Sequence, residues 1–235
     1  MKKTLILISV IVFAVMVFGC TSTAQPIPNE YVGTWLYGDQ MLVEIIVRPN
    51  NSGRITLLLP NGEVMPLPRN GAFNRAKYDG EKLTFFEIND QPVYGKIEGD
   101  KLVVRGFEDG AVFNLSKGET PNITNTMWAF TFPRTVIIGY AFFDDGTYEA
   151  RNMGFGSGLG ILRQLFEASG ARGGPDGVTG TYEVVDHKVI MRPTGGAYIS
   201  IDGYGDVSAK EADSFTLFFI DNFFWFEGLH YDQVQ

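Results

Sequence analysis

One cysteine and two histidines are all that this chain offers for thiol or imidazole chemistry. Cys20 alone makes neither a disulfide framework nor a Cys-x-x-Cys metal site. His187 and His230 have no His-x-x-x-His or Asp-x-Asp-x-Asp-Gly pattern beside them, so zinc and EF-hand calcium lack their usual ligand spacing. His187 follows Asp186 in an expected hairpin turn and reads as a solvated turn residue, while His230 lies near the C-terminus. Basic residues are also in short supply, 19 against 27 acidic ones for a formal charge of −8. No Lys/Arg cluster interrupts that balance, which excludes nucleic acid as a partner. The nucleophile pattern Gly-x-Ser-x-Gly is missing, since Gly154-Phe155-Gly156-Ser157-Gly158 has the glycines without the spacing. Asp144-Asp145 and Asp221-Asn222 fall between apolar runs where Asp and Asn serve turns. The expectation is no enzyme, no catalytic residues, no metal and no cofactor. Beyond the first 20 residues, no apolar run is long enough to cross roughly 30 Å of hydrocarbon as a helix.

The N-terminus is what the chain does have. Lys2 and Lys3 precede an uncharged apolar run from Leu5 to Phe18, and the small Gly19 follows. These are the three parts of a secretory signal, expected over residues 1–19. Val17-Phe18-Gly19-Cys20 resembles the bacterial lipobox, with Phe18 bulkier than the usual occupant. The resemblance implies cleavage before Cys20, lipid on its sulfur, and a protein of the bacterial cell envelope held on a membrane through that cysteine. Several acyl chains would make the anchor durable, because each buried CH₂ contributes about 0.8 kcal/mol and one chain alone binds only reversibly. Taking Lys2 and Lys3 away from 19 leaves 17 basic residues against 27, and the charge moves from −8 to −10. Residues 20–30 are polar and proline-bearing and read as a tether.

From Tyr31 to Lys117, short apolar or alternating runs are broken by Asn50-Asn51, Asn61-Gly62, Asp79-Gly80, Gly99-Asp100 and Asp109-Gly110. That punctuation predicts an all-β, antiparallel fold. Residues 116–122 are polar and turn-rich and mark a boundary, giving one β domain over 31–118 and a second over 124–235. Each half opens near a tryptophan, Trp35 or Trp128, which favours two small barrels over one larger barrel or sandwich. A Gly-rich insertion, 154–180, carries Leu159, Leu162, Leu165 and Phe166 at helical spacing, so a short helix is expected near 159–168.

Aromatic residues are abundant, with 19 Phe, 10 Tyr and 3 Trp. Phe215, Phe218, Phe219, Phe223, Phe224, Trp225 and Phe226 crowd two adjacent strands, and alternation sends large apolar side chains to both faces. One face must fill something other than the nearest core, either the other half of the protein or a cavity for an apolar ligand. Gly33-Thr34-Trp35 resembles the Gly-x-Trp opening of lipocalins and of lipocalin-like domains in lipoproteins, and the hairpin phrases Asp79 to Phe85 and Gly95 to Leu102 are similar to theirs. Thr126-Met127-Trp128 lacks the glycine. The resemblance implies an up-and-down barrel binding a small hydrophobic ligand or lipid, with Trp35, Phe219, Phe224 and Phe226 as expected contacts. The alternative is a structural or interaction module that binds an envelope protein partner.

Overall fold

The structure is a computed structural model that describes residues 25–61, 63–67, 71–107, 110–131, 137–152, 177–199, 206–208, 214–226 and 228–234. Signal residues 1–19, Cys20 and the helix expected near 159–168 lie outside them. The fold is all-β and antiparallel, with no helix among the described residues.

The first nine strands are β1 (Gly33–Gly38), β2 (Leu42–Val47), β3 (Gly53–Leu58), β4 (Ala72–Phe73), β5 (Lys77–Tyr78), β6 (Leu83–Ile88), β7 (Gln91–Glu98), β8 (Lys101–Arg105) and β9 (Phe113–Lys117). They form one sheet in the order β4-β3-β2-β1-β9-β8-β7-β6-β5. Alternation turns Trp35, Val43, Ile45, Ile55, Leu83, Val93, Leu102 and Leu115 into one shared core, so the sheet curls into a half-barrel. Its two ends are joined by residues 74–76, where the Ala76 amide donates to Asn51 O at 2.8 Å. An opening remains between β4 and β5.

The second set is β10 (Thr126–Thr131), β11 (Ile137–Phe142), β12 (Thr147–Asn152), β13 (Gly177–Val185), β14 (Lys188–Ile199), β15 (Asp206–Ser208), β16 (Phe215–Ile220), β17 (Phe223–Phe226) and β18 (Leu229–Gln233). Here the β13–β14 pairing closes eight strands into a barrel, leaving β15 on the margin. Strand β18, between β10 and β17 in the sheet, contains His230. Its ring stacks on Phe223 at 4.3 Å.

The two units share a connection rule: every strand pairs with its successor except β4 in the first and β15 in the second, and the first strand pairs with the last. Their openings match as well. Pro28-Asn29 precedes Trp35 by the same spacing as Pro121-Asn122 precedes Trp128. Trp35 faces Ile45 on one side and Lys117 on the other, as Trp128 faces Tyr140 and Gln233. Each indole N–H finds a local acceptor, Tyr31 O at 2.9 Å and Thr126 Oγ1 at 2.8 Å. A buried indole leaves its one donor costly unless it is used.

Turns carry the register. Asn89 and Asp90, at φ 49° and 63°, form the two-residue β6–β7 turn with both residues left-handed, the combination that matches strand twist. Asp186 and Asp221, at φ 55° and 52°, open the β13–β14 and β16–β17 turns.

Phe224 is fully buried in the second barrel, whereas Val185 is 39% exposed. Phe224→Ala should cost about 3–5 kcal/mol in urea unfolding, by lost transfer energy and the cavity left behind. Val185→Ala should stay within about 0.5 kcal/mol of wild type.

Candidate functional site

The aromatic residues expected to meet a ligand lie in the two cores. Trp35 is buried in the half-barrel, and Phe224 is buried in the closed barrel. Phe219 and Phe226 are partly buried against the same core as Phe224. The barrel brings Phe219 and Phe224 together with Trp128, at ring separations of 5.3 Å between the phenylalanines and 4.5 Å from Phe224 to the indole. Phe226 packs on Phe215 at 5.0 Å. Trp35 belongs to the other unit and meets none of them.

The opposite face of that hairpin joins the two units. Ile220 and Trp225 are buried against Leu36 and Leu42, with Phe218, Phe223 and Leu58 around them. Each fully buried side chain of this kind contributes about 1.5–3 kcal/mol. The Trp225 indole donates to Asp39 O at 2.7 Å, so its polar edge is matched across the seam. Gly38 makes the approach possible: a Cβ there would lie 2.6 Å from Ile220 Cδ1 and 2.9 Å from Trp225 Cδ1. At one margin Lys101 Nζ donates to Ser116 Oγ at 2.6 Å and bridges to Asp221 at 3.1 Å.

A charged cluster is sealed into the same seam. Glu44 projects outward from β2, and His187 reaches it from the β13–β14 turn with Nε2 2.9 Å from Oε1. Lys188 Nζ donates to the same oxygen at 2.7 Å. Glu44 and His187 are 7% and 5% exposed, so the solvated turn expected for His187 is corrected: the turn is there, but the other unit covers it. With Glu44 ionised, Nε2 carries the proton and donates. Burial, the largest single influence, works against ionisation of Glu44. The hydrogen bonds from His187 and Lys188, with their charges, together outweigh it and hold the carboxyl below its ordinary value of 4.5. The sequence reading passed over Glu44, yet a signal existed. It is the lone charge in Leu42-Val43-Glu44-Ile45-Ile46-Val47, and a strand buried on both faces must give such a charge a partner.

Where the half-barrel stays open there is a groove of about 690 Å³ between Phe73–Lys77 on one side and Thr84–Asp90 on the other. Phe73 and Phe85 meet at 5.3 Å and are both buried. Arg75 and Lys77 stand on one wall, Glu87 and Asp90 on the other. Other exposed charges nearby are mutually paired, as Lys96 with Glu81 at 2.6 Å and Arg105 with Glu98 at 3.0 Å. Among the described residues, no such pair engages the four groove charges.

The fold and this seam define an all-β protein of two antiparallel units side by side, one a closed eight-stranded barrel and one a half-barrel. No family model matches the chain, and no curated protein matches it. Among solved structures, a DNA polymerase sliding clamp from Pseudomonas aeruginosa with ligand is similar at 12% identity, over 72% of this chain and 56% of that one, with a TM-score of 0.13. A second structure of that clamp shows 9% identity over 67% and 52%, again at 0.13. The chain thus spans about half the length of the clamp, and a likeness this slight carries no argument.

Because the folded pKa of Glu44 is depressed, its contribution to stability is fully present above 4.5 and is lost as pH falls from there through the folded value. Glu44→Gln should lower stability by about 1–3 kcal/mol at neutral pH and flatten that acid limb, read by denaturant midpoints across pH. Gly38→Ala forces Ile220 and Trp225 to shift, and should destabilise by about 1–3 kcal/mol with a change in Trp225 fluorescence.

Proposed function

We propose that the chain is a lipoprotein of the bacterial cell envelope, exported, cut before Cys20 and anchored to a membrane there, whose paired lipocalin-like β units act as an interaction module. The observation that carries the interaction reading is the destination of the aromatic side chains. Trp35 and Phe224 fill cores, the other face of the hairpin welds the units, and the groove at the open edge has charged walls. Aromatics committed to cores and to the seam leave recognition to the outer surface and its groove. Arg75 and Lys77 facing Glu87 and Asp90 suit a polar protein segment better than an apolar molecule.

A second reading, a small hydrophobic ligand in the closed barrel, draws support from the incomplete burial of Phe219 and Phe226. Native mass spectrometry of the protein purified from membranes separates the two. Protein with no non-covalent adduct is expected, and a stoichiometric lipid lost in Phe219→Ala would favour the ligand instead.

The anchor is checked by feeding cells an alkyne fatty acid. Label should enter the wild-type protein and be absent from Cys20→Ser. Equal labelling of the two would end the lipoprotein reading.

A further inference from the structure

The described part of the segment read as a tether, residues 25–30, is held against the body. Gln25 forms an antiparallel bridge with Tyr78 on β5. Ile27 is 7% exposed and belongs to the half-barrel core. The Tyr31 and Val32 amides donate to Pro28 O and Asn29 O at 3.0 and 3.1 Å, which folds the arm into a turn before β1. Tyr31 is 2% exposed, its ring 5.5 Å from that of Tyr78, and its hydroxyl donates to Glu81 O at 3.2 Å. These contacts tie the arm to the edge of the sheet at three successive points.

We propose that this clamp leaves only the stretch from Cys20 to Gln25 as a leash, so that the β5 edge of the half-barrel rides on the phospholipid surface. The inference rests on the lipoprotein reading. Five residues span at most about 18 Å when fully extended. An acylated Cys20 sits at the headgroup level, so Gln25 and the Tyr78 edge lie within that distance of it. Had residues 20–30 all been free, the reach would double. Surface charge is not what holds this end down. Lys96 is neutralised by Glu81, Lys82 lies over the Tyr94 ring at 4.6 Å, and Asp79 is committed to the Glu81 and Lys82 amides. Lys77, adjacent to Tyr78, also lines the groove, which places the groove mouth at the membrane side of the molecule.

The test uses full-length lipidated protein in phosphatidylcholine vesicles, with a fluorophore on Lys77→Cys, an exposed position, and an energy acceptor on the lipid headgroups. Strong transfer is expected. Inserting about 20 Gly/Ser residues after Thr23 adds about 25 Å of root-mean-square reach, and transfer should fall by roughly half or more. Ile27→Ser, which releases the arm, should shift transfer in the same direction. Weak transfer with the native leash, or transfer indifferent to the insertion, overturns the inference while leaving the anchor intact. Absence of fatty-acid labelling on Cys20 removes the lipoprotein reading itself, and the two failures are thereby told apart.

Discussion

A two-stranded hairpin with large apolar side chains on both faces has no stable place on the surface of a barrel. The strands from Phe215 to Phe226 are that hairpin, and most of the architecture follows from covering it. Leu217 and Phe224 complete the second barrel, while Ile220 and Trp225 demand a second apolar surface. The outer face of β1 and β2 supplies it with Leu36 and Leu42. The two units therefore have a reason to be adjacent that neither core provides. Alternation along one hairpin distributes its residues between an interior and a seam, and a shift of one residue in register would exchange the two sets.

Apolar contact alone would let the units slide on each other, and the polar groups at the seam limit that freedom. The Trp225 indole must meet Asp39 O, and Lys101 must meet Asp221. Glu44 is more demanding. A carboxylate at 7% exposure is unfavourable without partners, and both of its partners come from the other unit. Any docking that separates Glu44 from His187 and Lys188 leaves a desolvated charge. The cluster penalises wrong arrangements more strongly than it stabilises the right one, which is how a buried ion pair serves specificity.

The strand pattern was legible because turn chemistry and alternation are local. Asp186, Asp221 and the Asp144-Asp145-Gly146 turn stand where Asp, Asn and Gly marked them, and the two-unit plan followed from the paired tryptophans. The matching Pro-Asn lead-ins were also in plain view but gain meaning only once both strands are seen to open a sheet. What stayed hidden depends on contacts between distant parts. His187 read as solvated because its coverage comes from Glu44, 143 positions away. The incomplete closure between β4 and β5 depends on how residues 74–76 cross from one end of the sheet to the other, which no dipeptide signals. The arm before β1 read as a linker up to residue 30 because its polar composition outweighed Ile27, which is buried in the half-barrel core.

Under the proposed anchoring at Cys20, that arm changes how the anchor and the body relate. A long leash lets a module search the space above a membrane, and its recognition surface then points anywhere. The proposed leash of five residues, ending at the Gln25 bridge to Tyr78, would make the orientation of the body part of the design. The seam joins the second barrel to the first, so fixing one edge of the half-barrel restricts where the outer strands can face. The groove walls, Arg75 and Lys77 against Glu87 and Asp90, lie along that same edge. Under that proposal a partner that meets them would do so close to the lipid, which favours a protein segment emerging from the same membrane over one arriving from solution.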